Sequence, residues 1–459
     1  MGKTTIATGI MSLLSKRYKV QGFKIGPDFI DPMYHTVATG RASRNLDSFL
    51  MDDDTVRNLV GYASEDSDLC IVEGVRGLYE GFSGDSDIGS TAYIAKLLDL
   101  PVVLVIDSGS LTRSTAAIIN GFRSFDTGVN IAGVILNKVS GQQHSDKLDV
   151  AMTTYCSDVK VVGKIKKDRE NTLAQRHLGL DTILDADRNG VESLEKLADP
   201  LDLDILMDIA ESTDSDLPTE SPYVRRDGEA SIAVPYDDAY CFYYRENLEC
   251  LESSGFRIRR FSPVAGDMLP DADAVYLGGG YPELYASEIA ANGDFREGVR
   301  NMAFEGKPIL GECGGLMSLC SGMVDKEGGR HDMIGIFGCD SVFVNKRHGP
   351  TYVIADASPG NPLFSGSVRA HEYHYSEVTA TGSEPFGFDI RRGQGIVGKK
   401  DGLVFKNTLG TYMHQHALSS KDWARGFFDK LLRSPFRRSF HSSGSNESVR
   451  NGPIWSARG

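Results

Sequence analysis

Along the first two hundred positions apolar residues arrive in short continuous runs separated by stretches with helical spacing. "DLCIVEG" (68–74), "PVVLVIDSG" (101–109) and "IAGVILNKV" (131–139) are each bounded by turn residues. Continuous Val/Ile/Leu runs between amphipathic stretches are what a parallel sheet needs when helices cover both of its faces. The pattern therefore predicts a doubly wound α/β domain over residues 1–205. It then lapses. "ESTDSDLPTESPYVRRDGEAS" is polar and Pro-containing, and predicts a linker over 206–230. A second alternating set follows in "SIAVPYD" (231–237), "ADAVYLGGG" (272–280), "KPILGECGG" (307–315) and "GLVFKNTLGTYMHQH" (402–416), predicting a second α/β domain over 231–435. The last residues, 436–459, have little to bury and are expected to be disordered. No internal repeat is present.

Composition narrows the function classes. The 459 residues suggest about three domains by length alone, which large α/β halves reduce to two. With 41% hydrophobic and 24% charged residues the chain has ordinary globular composition. A net charge of -14 opposes binding to nucleic-acid backbones, although a local basic pocket could still hold a polyanionic substrate. Seven scattered Cys without a C-x-x-C pair indicate neither a zinc knuckle nor a disulfide framework, and so a reducing compartment. No apolar run is long enough for a membrane span, and no secretory leader is visible. A cytoplasmic enzyme of small molecules fits these constraints.

The chemistry concentrates in a few stretches. "KPILGECGGLMSL" reads as a buried strand, a tight Gly-flanked turn and a helix, which would place Cys313 at a nucleophile turn with its sulfur exposed and its thiolate favoured by the helix N-terminus. "GTYMHQH" offers His414 and His416 as bases for that thiol. A developing oxyanion would need backbone N–H groups, for which Gly279, Gly280 and Gly314 are candidates. At the other end, Gly2-Lys3-Thr4 has the form of the last positions of a P-loop, where Lys reaches phosphates and Thr holds Mg²⁺. Thr5 would add a contact to the α-phosphate at the helix N-terminus. The earlier motif positions and their feeding strand would precede Met1, so a truncated frame or misplaced start is expected. Glu73, ending "LCIVEG", stands where a second carboxylate could meet Mg²⁺. Lys24, Asp28 and Asp31 are expected in a Gly/Pro-punctuated loop that could meet phosphates and substrate carboxylates.

"YLGGGYPELYA", "GECGGLM", "RAHEYHYSE" and "GTYMHQH" together resemble the glutamine amidotransferase domain of the cobyrinic acid a,c-diamide synthase family. "FKIGPDFIDPMYH", "NLDSF", "IVEGVRGLYEG" and "DIGSTAYIAKLLDLPVVLVID" resemble the same family's ATPase domain, of dethiobiotin-synthetase type. The resemblance covers roughly residues 1–430. It implies a P-loop ATPase domain joined to a class I glutamine amidotransferase domain. Glutamine would be hydrolysed at Cys313 with help from His414, and ammonia would cross a protected interior path. It would then amidate the a- and c-acetates of a tetrapyrrole, cobyrinate or Ni-sirohydrochlorin, through an acyl phosphate made with ATP and Mg²⁺. The family's usual Glu two residues after the catalytic His is His416 here, which leaves both histidines open as the base.

The resemblance further implies that Asp28, Asp31 and Asp47 bind Mg²⁺ or orient substrate and that Asn137 reads adenine. Thr4, Glu73 and Asp28 form the expected metal set; Asp31, Asp47, Glu80 and Lys24 form the expected substrate set. Glu80 replaces the family's usual Asp. "RAHEYHYSE" makes a poor metal site and is expected to shape the domain interface or tetrapyrrole pocket. A homodimer is compatible with these features. A cobyric acid synthase-like amidase and a MinD-like ATPase without ligase chemistry are the alternatives.

Overall fold

The computed structural model describes residues 2–167, 194–212, 217–380, 382–420 and 423–432. The expected disordered tail and positions 213–216 of the expected linker lie outside the described residues. The first domain opens with α1 (Lys3–Ser15), β1 (Val20–Ile25), α2 (Ile30–Thr39) and β2 (Arg44–Leu46). It continues through β3 (Leu69–Glu73), β4 (Val102–Asp107), β5 (Ile131–Val139) and β6 (Lys160–Lys166), with helices between. Its helix Leu203–Ala210 crosses the boundary expected at 205: it packs against β6, and Leu206 and Ile209 join the apolar cluster that includes Ile6 and Ile10 of α1.

All strand pairs of this domain are parallel, in two three-stranded halves ordered β2-β1-β3 and β4-β5-β6. Among the described residues the halves are not joined into the single sheet expected from the alternating pattern. Between β3 and β4 lies a cavity of about 530 Å³ lined by Ile71, Val72, Val103 and Val105 from the strands and by Ile6 and Ile10 from α1. Burial follows from this arrangement. β1, paired on both sides, is buried throughout, whereas β3 and β4 face the cavity and keep partly exposed positions.

The second domain is one twelve-stranded sheet. Its parallel part comprises β7 (Ala230–Pro235), β8 (Phe256–Phe261), β9 (Ala274–Leu277) and β10 (Ile309–Glu312). Beyond β11 (Cys320–Val324) and β12 (Arg330–Asp332), a long antiparallel arm is built from β13 (Phe337–Ala357), β14 (Ser367–Val378) and β15 (Phe386–Arg392). The sheet closes with β16 (Lys400–Phe405), β17 (Thr408–Thr411) and β18 (His414–Gln415). β17 pairs with β10, and β18 with β14, so the segment around residue 414 is brought to the end of the strand that precedes Cys313.

The arm lies across the loops of the first domain. Tyr352 donates to Asp47 Oδ2 at 2.7 Å and stacks on Phe49 at 4.4 Å. Arg369 and Arg392 donate to the carbonyls of Phe49 and Phe82 at 3.0 and 2.8 Å. On the other side of the interface Arg44 makes a bidentate pair with Glu249 at 2.7 and 2.9 Å, and Glu246 lies 3.7 Å away. Arg44 is only 8% exposed and Glu246 fully buried, so removing the cation strands a buried carboxylate. Arg44→Ala is therefore expected to destabilise the chain by about 3 kcal/mol, read by urea denaturation followed by circular dichroism. A loss below about 1 kcal/mol, the range of surface pairs, would contradict this reading of the interface.

Candidate active site

The turn after β10 carries the candidate nucleophile. Cys313 has φ 50° and ψ −100°, a conformation that L-residues rarely adopt. It is held because its N–H donates to Thr411 O at 2.7 Å and because the glycines around it allow close packing. A Cβ on Gly315 would stand 2.2 Å from Leu277 O, and one on Gly314 would stand 2.9 Å from Pro282 Cδ and 3.2 Å from Gly280 N. Two candidate oxyanion donors, Gly280 and Gly314, thus approach one another beside Cys313. Gly279 adjoins His414 on the same turn: a Cβ there would lie 2.5 Å from His414 Cε1. Gly279→Ala would push the imidazole out of place, and on the glutamine-hydrolysing chemistry that the sequence resemblance implies, a displacement of this size is expected to cut glutamate release from glutamine about 100-fold. Amidation from free ammonium should persist in the same variant; loss of both activities would show a folding defect instead.

The thiol itself departs from the expectation of an exposed, thiolate-favouring sulfur. Cys313 is buried, and burial, followed by the nearby carboxylates Glu283, Glu312 and Asp401, raises its pKa well above the usual thiol range. The short helix Gly314–Leu319 does not offset this. Cys313 Sγ donates to Tyr373 O at 3.7 Å. His414 is buried too, which pushes its pKa down to about 3 and leaves the imidazole neutral, with Nδ1 lacking a hydrogen-bond partner. At rest the pair is therefore thiol plus neutral base, with the proton still on sulfur.

The two histidines left open by the sequence have different surroundings. His414 lies against the Gly279 turn and stacks on His371 at 4.8 Å. His416 faces away toward the helix Arg245–Ser253: its Nε2 is 3.4 Å from Glu246, its Nδ1 accepts from Leu418 N, and Tyr244 covers its ring. Glu312, whose pKa burial raises to about 8, accepts from Tyr276 Oη at 2.7 Å and Gln415 N at 3.1 Å, tying β18 to the strand that bears Cys313. Glu283, raised to about 7 by burial, sits on the turn that packs on Gly314. Neither glutamate was singled out by the sequence.

In the first domain, five polar side chains converge at the C-terminal ends of β1 and β3. Thr4 Oγ1 donates to Glu73 Oε1 at 2.7 Å and Asp31 Oδ2 at 3.1 Å. Lys24 Nζ bonds the same two carboxylates at 2.8 and 2.6 Å, and His35 Nε2 meets Glu73 Oε2 at 2.7 Å. Burial alone would raise the Glu73 pKa, but the His35 hydrogen bond and the Lys24 charge outweigh it and hold the carboxyl down to about 2. Lys24 lies within β1 itself and not in the loop where the sequence placed it, because β1 continues to Ile25.

Asp31, not Asp28, shares Thr4 with Glu73. Asp28 Oδ1 instead accepts from Ile30 N and Asp31 N, fixing the start of α2, and burial beside Asp31 raises its pKa to about 6. Lys3 Nζ donates to Arg76 O at 2.7 Å, and its pKa is lowered by burial and by Lys24. Gly2 starts α1 in a left-handed conformation, φ 84°, and a Cβ there would be 3.1 Å from Asn137 Nδ2, so Asn137 borders this loop. Thr5 lies in the first turn of α1, and Glu80 folds over Gly77 within the field of Lys3. Asp47 stands apart from the cluster: Phe49 N, Leu50 N and Tyr352 Oη all donate to it, which commits it to the domain interface, and burial raises its pKa to about 6. "RAHEYHYSE" likewise lies at the interface, through Arg369 and His371. Among the described residues no cluster of three or more His, Cys, Asp or Glu could hold a metal alone, and no helix is long and apolar enough to cross a membrane.

Comparison with known proteins agrees with this division. Residues 231–422 match the model of the CobB/CobQ-like glutamine amidotransferase domain, and residues 1–180 that of the CobQ/CobB/MinD/ParA nucleotide binding domain. A cobyrinate a,c-diamide synthase of Methanosphaera stadtmanae is 43% identical over 440 residues, covering 93% of this chain and 96% of the relative. The synthase of that name from Methanothermobacter thermautotrophicus is 43% identical over 437 residues, with 93% and 96% covered. That of Methanocaldococcus jannaschii is 40% identical over 430 residues, with 92% and 95% covered.

Proposed function

The chain belongs to the cobyrinate a,c-diamide synthase family, and from that premise we propose that it amidates the a- and c-acetate carboxylates of cobyrinate with nitrogen from glutamine, at the expense of ATP. In the second domain His414 takes the Cys313 proton and the sulfur attacks the glutamine carboxamide carbon. The N–H groups of Gly280 and Gly314 stabilise the oxyanion. The protonated imidazole gives its proton to the departing amine, and water hydrolyses the thioester to glutamate. His414 is preferred over His416 because it adjoins the glycine turn at Cys313, while His416 Nε2 faces away toward Glu246, 3.4 Å off.

In the first domain a substrate carboxylate oxygen attacks the γ-phosphorus and ADP leaves, giving an acyl phosphate. Ammonia then attacks the acyl carbon and phosphate departs. Lys3 at the head of α1 and the buried Lys24 supply positive charge toward the phosphates. Thr4 Oγ1 lies within hydrogen-bond distance of both Asp31 and Glu73, and these hard oxygen donors suit Mg²⁺, which usually takes one or two carboxylates together with substrate phosphates. Bound there, Mg²⁺ would offset phosphate charge during transfer. The expected third ligand Asp28 is replaced in this reading by Asp31.

The observation that carries the proposal is the meeting of the two centres. Phe29 sits between Asp28 and the Asp31 of the first turn of α2, and its ring lies 5.1 Å from that of His414. This contact supports delivery of nitrogen from Cys313 to the acceptor site. Mass spectrometry after incubation with ATP, Mg²⁺ and glutamine, offering cobyrinate and Ni-sirohydrochlorin side by side, tests the assignment. Two successive amidations of cobyrinate are expected. Amidation of the nickel compound alone would move the substrate, and amidation of neither would overturn the reading.

A further inference from the structure

Phe29 takes no part in the steps above, yet it occupies the seam between the two centres. It precedes α2, and the Asp28 carboxylate that accepts from Ile30 N and Asp31 N ties it to the Thr4–Lys24–Glu73 cluster. Its half-buried ring packs against four rings of the second domain. It stacks on Phe242 at 5.2 Å with 8° between planes, and tilts against Tyr244 at 4.6 Å, His371 at 5.6 Å and His414 at 5.1 Å. His371 in turn stacks on His414 and accepts or donates a hydrogen bond with Tyr244 Oη at 3.1 Å. Close-packed rings have discrete arrangements, so a shift of Phe29 must be taken up by its neighbours. Meanwhile the resting catalytic pair is unengaged: Cys313 Sγ points to Tyr373 O, and His414 Nδ1 is buried without a partner.

We propose that Phe29 is a positioning residue that couples the two centres: ordering of the 26–29 loop and the start of α2 by bound nucleotide and Mg²⁺ moves its ring, and the ring brings His414 into register with Cys313. Glutamine is then cleaved faster when a carboxylate can be activated, and only at a basal rate otherwise. The inference rests on the glutamine-dependent ligase reading, and its test separates the two.

Glutamate release from glutamine is measured on the full chain with and without ATP–Mg²⁺, in the native protein and in Phe29→Ala, Phe29→Tyr and Phe242→Ala. The native protein should respond by about tenfold, a usual size for coupling between sites. Phe29→Ala should lose the response, through kcat and not through KM for glutamine, while Phe29→Tyr keeps it. Phe242→Ala removes the stacking partner from the opposite domain and should lose the response to the same degree, with no further loss in the double variant. The coupling role is overturned if the native protein does not respond, if Phe29→Ala responds as the native does, or if tyrosine rescues nothing. Amidation of cobyrinate from ammonium by the native protein judges the ligase reading separately: its absence would sink that reading, while the glutamate response still decides the role of Phe29.

Discussion

Replacing Cys313 by serine is expected to lower glutamine-dependent amidation by at least about 10⁴-fold while leaving amidation from ammonium salts in place. The serine hydroxyl fits the buried turn but ionises far less readily than a thiol, and the site already disfavours the anion through burial and three neighbouring carboxylates. With a hydroxyl there, proton transfer to a neutral His414 becomes harder still. The first domain, by contrast, needs only ammonia and an acyl phosphate, whatever the source of the nitrogen. Steady-state rates with each nitrogen donor measure the split. Equal loss with both donors would mean that Cys313 supports the fold or the acceptor site and is not the nucleophile.

The complementary change is Glu73→Gln, expected to lower ATP-dependent amidation from either nitrogen donor by about 10²- to 10³-fold while basal glutamate release continues. Glu73 receives Thr4, Lys24 and His35 at once, so the amide removes the charge that neutralises a buried lysine as well as an oxygen suited to Mg²⁺. Stability should change with it. The Glu73 pKa is held below its unfolded value, so its contribution is present above the usual carboxylate range and is lost as pH falls toward about 2. At neutral pH the variant should therefore melt at lower temperature than the native chain, and the difference should close in acid. Unchanged ammonium-dependent amidation in Glu73→Gln would remove the cluster from the chemistry.

Much of this site was legible because its signals are local. Cys313 is flanked by glycines that only a sharp turn requires, and the steric numbers at Gly314 and Gly315 explain why those positions carry no side chain. Glu73 was legible as the end of an apolar strand. What escaped were relations set by partners distant in sequence. Phe29 reads as an ordinary apolar residue until Phe242, Tyr244, His371 and His414 surround it. Asp47 reads as a ligand until Tyr352, some three hundred positions later, claims it. The thiol's burial was illegible for the same reason: Tyr373 comes from the antiparallel arm, whose pairing with β18 no local pattern announces. The choice between Asp28 and Asp31 turned on a backbone cap, in which one of two nearby carboxylates holds the helix start and frees the other for Thr4.

Nitrogen released at Cys313 is expected to reach the activated carboxylate without joining the bulk solvent. Glutamine labelled with ¹⁵N in its carboxamide, supplied with ATP, Mg²⁺, cobyrinate and equimolar unlabelled ammonium near neutral pH, tests it directly by mass spectrometry of the product. Both new amides should carry the label essentially undiluted. Product whose label matches the mixed ammonium pool would contradict the account.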